Sequence, residues 1–192
     1  MTIAEHVTVF ISIVVGIAVG DLLLSFHKML RARRRVRWHW LPLAVALFGL
    51  LLTVNYWWSS FSWYAGAERL TVAAFLPDLA QCVVLFLIVA ASLPDEVPDK
   101  GLDLEVWYLG NARVYWSLAL LSLLLDIVIG GVREVGLGGS LMDLLQVKLN
   151  AVLIVPFLAL MIVVRRLWFH KAFILLSFAN MIWIATWFSL KQ

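Results

Sequence analysis

Several ionisable side chains stand inside long apolar runs of this sequence, where a charge is costly. On membrane-insertion scales a charge at the centre of a helix costs at least about 2.5–3.5 kcal/mol. Residues retained at such positions bind ions, carry protons or pair with one another. The charged residues in these runs are Asp21, Asp78, Asp126, Asp143 and Lys148. Uncharged polar residues in the same runs are Asn55, Gln81, Gln146, Asn150 and Asn180.

Six of these side chains are predicted to lie in one layer in the outer half of a membrane. Counting about 1.5 Å per residue along each helix gives their depths. They are Asn55, Asp78, Gln81, Asp126, Lys148 and Asn150. If they converge, they form a polar cavity open to the outside, with Lys148 neutralising one aspartate. The alternative is a satisfied ion pair with amide hydrogen bonds that hold the helices together.

The local spacing adds detail to this layer. Asp78 and Gln81 are three positions apart and therefore share a helix face. Pro77 directly precedes Asp78, and Pro156 interrupts a later run. Each proline removes a backbone donor and frees a carbonyl, which either coordinates a cation or marks an ordinary kink. Asp21 is expected at the cytoplasmic end of such a pathway, and Asn180 is expected to line it.

The elements that must position these residues are predicted to be membrane helices. Hydrophobic residues make up 64% of the 192 residues and charged residues 14%, against about 45–50% and about 25% in soluble domains. This balance excludes a water-soluble globule, a disordered chain and a nucleic-acid-binding domain. The runs are too long for barrel strands and do not alternate. The prediction is a single all-α domain, 1–192, a polytopic helical bundle with six transmembrane spans at about 7–26, 41–58, 70–93, 111–129, 141–164 and 172–190.

The basic residues predict how this bundle is oriented. Connections one and five are rich in lysine and arginine, whereas the even connections hold only Arg69 and Arg133. Because cytoplasmic connections of membrane proteins carry the excess of such residues, the odd connections are predicted to be cytoplasmic and both termini to face outward. The third connection is acidic, but acidic residues count little in this rule.

An arginine-rich run forms the first connection and is the second candidate site. It contains Arg31, Arg33, Arg34, Arg35 and Arg37. One interpretation is a topology anchor at an anionic leaflet, and the other is a specific site for an acidic lipid or a partner protein. Gly16 and Gly20 form a small-residue stripe, which indicates either an internal helix contact or a homo-oligomer seam. A homo-oligomer is expected.

Four stretches carry a resemblance. They are VFISIVVGIA at 9–18 with DLL at 21–23, the basic connection, NYWW at 55–58 and ASLPD at 91–95. Together they resemble a group of short bacterial polytopic membrane proteins with no assigned activity. The resemblance implies a bacterial inner-membrane setting, and it implies no catalytic residues.

No motif for an enzyme stands in the sequence. There is no G-x-S-x-G, P-loop or H-E-x-x-H, and the four histidines are predicted at span ends. No catalytic residue, cofactor or metal is therefore expected. The leading hypothesis is a small inner-membrane channel or transporter for a cation or proton that uses intramembrane carboxylates. The alternative is a non-transporting membrane scaffold, sensor or accessory subunit.

Overall fold

The fold is an all-α bundle. The structure, a computed structural model, describes residues 2–64, 70–136 and 141–189, with side chains at all of these except 62, 134–136, 141–148, 150 and 184–189. The helices are α1 (Ile3–Arg31), α2 (Trp40–Tyr64), α3 (Val72–Ala90), α4 (Leu104–Gly136), α5 (Leu141–Val163) and α6 (Leu167–Ser189). Two short strands, β1 (Val36–Arg37) and β2 (Leu102–Asp103), lie between helices. The predicted all-α class is confirmed.

Four helices are long and apolar enough to cross a membrane. These segments are Ile3–Arg31, Trp40–Phe61, Val72–Ala90 and Leu104–Arg133. Only 22% to 39% of each apolar segment is buried inside the protein, so most of its residues are at least partly exposed. Exposed apolar surface on this scale suits lipid and not water. The described apolar parts of α5 and α6, Ala151–Val163 and Leu167–Trp183, are shorter.

Helix α1 begins at Ile3, earlier than the predicted Val7, because a capping box closes its first turn. The Glu5 backbone N–H donates to Thr2 Oγ1 at 3.2 Å, and the Thr2 N–H donates to Glu5 Oε2 at 2.8 Å. Both bonds satisfy donors that the start of a helix leaves unpaired.

Helix α4 is longer at both ends than the predicted span 111–129. Asp103 Oδ1 accepts the backbone N–H groups of Glu105 at 2.9 Å and Val106 at 3.2 Å, and this side-chain cap starts the helix at Leu104. At the other end the helix continues to Gly136. Arg133, expected in a turn, is therefore a helical residue whose position is fixed by contacts described below.

The core lies between closely packed helices. Helix α1 packs on α2 and α3, α4 packs on α3 and α5, and α6 packs on α2. A glycine lets α2 approach its neighbours, because a Cβ at Gly49 would lie 3.2 Å from Ile88 Cγ2 and 3.3 Å from Tyr115 Oη. Tyr115 in turn donates from its hydroxyl to the Val45 carbonyl at 3.0 Å. By contrast, nothing in the described structure lies within 4 Å of a Cβ at Gly16 or Gly20.

The odd-numbered connections meet at one end, which we call the basic end: residues 32–39, 91–103 and 164–166. Strands β1 and β2 pair in parallel there, with Val36 opposite Leu102. Gly101 adopts φ +92°, and a Cβ at that position would lie 3.0 Å from the Arg35 carbonyl oxygen. This close, left-handed turn requires glycine.

Candidate functional site: a buried carboxylate cluster

The candidate site is built around Asp78, near the start of α3. Thr71 caps this helix by accepting the Ala74 N–H at 3.2 Å. Pro77 is the sixth residue of the helix, and its ring is exposed. Asp78 faces the bundle instead and is only 2% exposed. A carboxylate this deep requires partners, since burying an unpaired charge is prohibitively costly.

Both carboxylate oxygens of Asp78 have hydrogen-bond donors. The Tyr56 hydroxyl donates to Oδ1 at 2.8 Å, and the Tyr64 hydroxyl donates to Oδ2 at 2.5 Å. Arg133 Nη2 donates to Oδ1 at 2.6 Å and forms an ion pair with the carboxylate. The donors come from α2 and α4, so the acid on α3 joins three helices.

An aromatic shelf holds the cation of this pair. The Arg133 guanidinium carbon lies 4.5 Å above the Trp63 ring centroid and 5.7 Å from that of Tyr64. The Trp63 ring also packs edge-on against Tyr56 at 5.2 Å. Aromatic faces attract a cation, so Trp63 and Asp78 position Arg133 from two directions. The Arg133 side chain remains 30% exposed.

A second polar contact lies one turn further along α3. Gln81 Nε2 donates to Ser122 Oγ on α4 at 2.8 Å. Within the described part of the chain, the other amide atom, Gln81 Oε1, is buried with no hydrogen-bond partner. Cys82 is buried on the same face. The face that spacing predicted for Asp78 and Gln81 therefore points inward.

The other predicted pathway residues differ in exposure. Asn55 and Asn180 are exposed, whereas Asp126 and Asp21 are half-buried. The predicted contribution of Lys148 and Asn150 lies outside the described residues, because their side chains are not described. Among the described residues, the cation beside Asp78 is Arg133, a residue that the sequence analysis placed in a turn.

Sequence reasoning missed the tyrosines and the arginine of the cluster. A usable signal existed in α2, because Tyr56, Ser60 and Tyr64 are spaced four residues apart and all three are buried. Such a polar stripe within an apolar helix indicates an inward face. Arg133 had no comparable signal, since it follows a glycine pair and resembles a loop residue.

In the second candidate site, the arginine-rich run, two arginines have acidic partners. Arg35 Nη1 lies 2.8 Å from Asp99 Oδ1, and Arg37 Nη1 lies 2.9 Å from Asp103 Oδ2. Arg31, Arg33 and Arg34 are exposed and have no charged partner in the described structure. The acidic third connection therefore neutralises part of the basic run.

Further contacts hold the end of α1 against the third connection. Ser25 Oγ donates to Asp95 Oδ1 at 3.2 Å, and Lys28 Nζ donates to the Asp95 carbonyl at 3.0 Å.

At Asp103, the Val106 and Glu105 N–H groups, together with Arg37, hold the pKa of the carboxyl below its ordinary value, against a weaker opposing effect of burial. Asp103 thus stays ionised while it caps α4.

The histidines make no metal site among the described residues, which contain no suitable group of three ligands. His170 is fully buried and joins helices instead. Its Nε2 donates to the Val164 carbonyl at 2.7 Å, which leaves Nδ1 to accept the Tyr108 hydroxyl at 2.7 Å. Trp116 Nε1 donates to the same hydroxyl at 3.0 Å. This chain of bonds ties α6 to α4.

Comparison of the chain with family models, with curated proteins and with solved structures finds no match. The resemblance to short bacterial membrane proteins therefore stays a prediction.

Proposed function

We propose that the protein is a non-transporting membrane scaffold, of the kind that serves as an accessory subunit of a membrane assembly. The observation that carries this proposal is the complete pairing of Asp78. Three donors from two other helices occupy its two oxygens. A carboxylate so occupied braces helices and offers little to a passing ion.

The energetic argument favours the same function. A transported cation would have to displace the Arg133 guanidinium from Asp78, which would leave the guanidinium without its anion. Breaking a buried pair by removal of one partner costs about 3–5 kcal/mol. Polar contacts between membrane helices commonly act as glue, and the Gln81–Ser122 bond between α3 and α4 is of this kind.

The proposed setting is the bacterial inner membrane, with six spans and both termini outside. In its support, the connections rich in lysine and arginine lie together at the basic end, as expected of cytoplasmic connections. Trp38, Trp40 and Trp168 are exposed near the same end, where indole rings favour the headgroup layer. A homo-oligomer remains part of this proposal.

The test combines flux with stability in the full-length protein. Wild type, D78N and D21N, which is a control for stability alone, are reconstituted in liposomes, and proton and monovalent-cation flux are recorded beside the unfolding temperature. Asp21 is half-buried and makes no ion pair with a described residue. The scaffold predicts no flux above empty vesicles, and a lowered unfolding temperature for D78N alone. Selective flux that D78N abolishes without loss of stability would refute it.

The second candidate is a cation or proton transporter that uses the same carboxylate. Two observations favour it: the partial exposure of Arg133 and the buried, unpartnered Gln81 Oε1 one turn deeper in the described structure. Beside the ion pair, Gln81 Oε1 could coordinate a cation or accept a hydrogen bond from a proton carrier. In this case Asp78 and Asp126 would be the ligands or proton carriers, Lys148 would be a counter-charge, and D126N would also reduce flux.

A further inference from the structure

We propose that Lys28, Arg31, Arg33 and Arg34 form a binding site for the phosphate of an anionic phospholipid headgroup. The site lies where α1 ends and the 3₁₀ turn Arg33–Arg35 begins. This inference deepens the proposed function, because it names what the basic end of the scaffold binds.

Only some arginines of the run have acidic partners. Arg35 and Arg37 are paired with Asp99 and Asp103, so each has an acidic partner within the protein. Arg31, Arg33 and Arg34 are exposed, and no acidic residue of the described structure pairs with them. Charges brought this close together repel one another, and a phosphate anion relieves that repulsion. The fold thus holds a concentrated positive patch in place and leaves it unneutralised.

The second argument is the shape of the surface. An open cleft of about 520 Å³ lies between the end of α1 and the third connection. Its lining is Lys28, Arg31, Ala32, Arg35, Glu96 and Val97. Lys28 gives one bond to the Asp95 carbonyl, and its ammonium has donors left for a phosphate oxygen. Glu96 is the one carboxylate of that lining, and it can accept a hydrogen bond from a headgroup hydroxyl.

The third argument is depth, which selects a lipid among possible anions. The cleft begins where the apolar segment of α1 ends. Trp38 follows in the first connection, Trp40 begins α2, and both are exposed. Because indoles sit at the headgroup level, the basic patch lies where lipid phosphates are. A polybasic segment beside a membrane helix gains about 1 kcal/mol per cationic residue from anionic lipid.

The experiment measures lipid preference directly. Detergent-purified full-length protein is mixed with equal amounts of phosphatidylglycerol and phosphatidylcholine at low salt, and the bound lipids are counted by native mass spectrometry. The variant R31Q/R33Q/R34Q should lose phosphatidylglycerol affinity by about five-fold per arginine, or about 100-fold in all. The matched control R37Q removes a paired arginine of the same run that does not line the cleft. It should keep the preference for phosphatidylglycerol.

Three outcomes would overturn the site: an unchanged preference in the triple variant, an equal loss in the control, or displacement of the lipid by inorganic phosphate alone at millimolar concentration. The last result would indicate a soluble phosphate ligand. None of these outcomes bears on flux or on the stability of D78N. Failure of the lipid site and failure of the scaffold are therefore distinguishable.

Discussion

Arg133 and Asp78 are 55 positions apart in the sequence and form an ion pair of 2.6 Å between α4 and α3. The acid is buried, the guanidinium is partly exposed, and Trp63 packs against the guanidinium. The pair therefore couples the first half of α3 to the end of α4, and α2 completes the contact through its tyrosines.

This coupling predicts strong non-additivity. D78N should lower the free energy of unfolding by about 3 kcal/mol, because it leaves Arg133 without its anion. R133Q should cost about as much, and the double variant D78N/R133Q should cost less than the sum, with a coupling energy of about 1–3 kcal/mol. The measurement is denaturant unfolding in micelles. Additive losses would mean that the two residues act independently.

The surroundings of Gly49 and Gly16 predict that valine destabilises the protein at Gly49 and not at Gly16. G49V should destabilise the protein by about 1–3 kcal/mol, because its side chain would meet Ile88 and the Tyr115 hydroxyl at contact distance. G16V is the matched control, since a Cβ there meets nothing within 4 Å in the described structure. Thermal unfolding of both variants decides this, and equal stability of the two would contradict the packing at Gly49.

Gly101 predicts a cost at the basic end. G101A should lose about 1–2 kcal/mol of stability, since a side chain disfavours φ +92° and its Cβ would press on the Arg35 carbonyl. G110A lies within α4 with open space around the Cβ. Because alanine is the better helix former, G110A should be neutral or more stable by up to about 1 kcal/mol. A tolerated G101A, measured by thermal unfolding, would disprove the constraint.

Asp103 predicts a pH dependence with a defined sign. Its pKa is depressed in the folded protein, chiefly by the Val106 N–H and then by the Glu105 N–H and Arg37. The stabilisation is therefore fully present above the ordinary value of 3.8 and is lost as pH falls through the depressed pKa. Wild type should lose more stability than D103N across this acidic range.

Unfolding temperatures recorded from neutral pH downward provide the check. Arg37→Gln is the control for Asp103, because it removes the arginine and keeps both backbone donors. R37Q should retain most of the pH dependence of wild type. Parallel pH profiles for wild type and D103N would contradict the role assigned to this carboxylate.

Local properties of the sequence were sufficient for the helical class and for the approximate positions of six helices, because apolar runs of this length have few alternatives. Capping was also local: Thr2 with Glu5, and Asp103 ahead of α4, are short-range signals that a closer count of helix starts could have used. The inward face with Asp78 and Gln81 followed from helical spacing alone.

The partners of Asp78 were decided only by the tertiary structure. An apolar helix in lipid has weak preference for one rotation, so sequence spacing cannot say which polar residue of another helix it meets. Arg133 became a helical residue because Asp78 and Trp63 hold it, contacts that exist only once α2, α3 and α4 have packed. In the same way, the packing of the acidic third connection determined that Arg35 and Arg37 have acidic partners. It left Arg31, Arg33 and Arg34 exposed. The sequence determined that charged residues stand within apolar helices. Packing determined which charges form pairs, because the pairing energy depends on the distance between groups that are far apart along the chain.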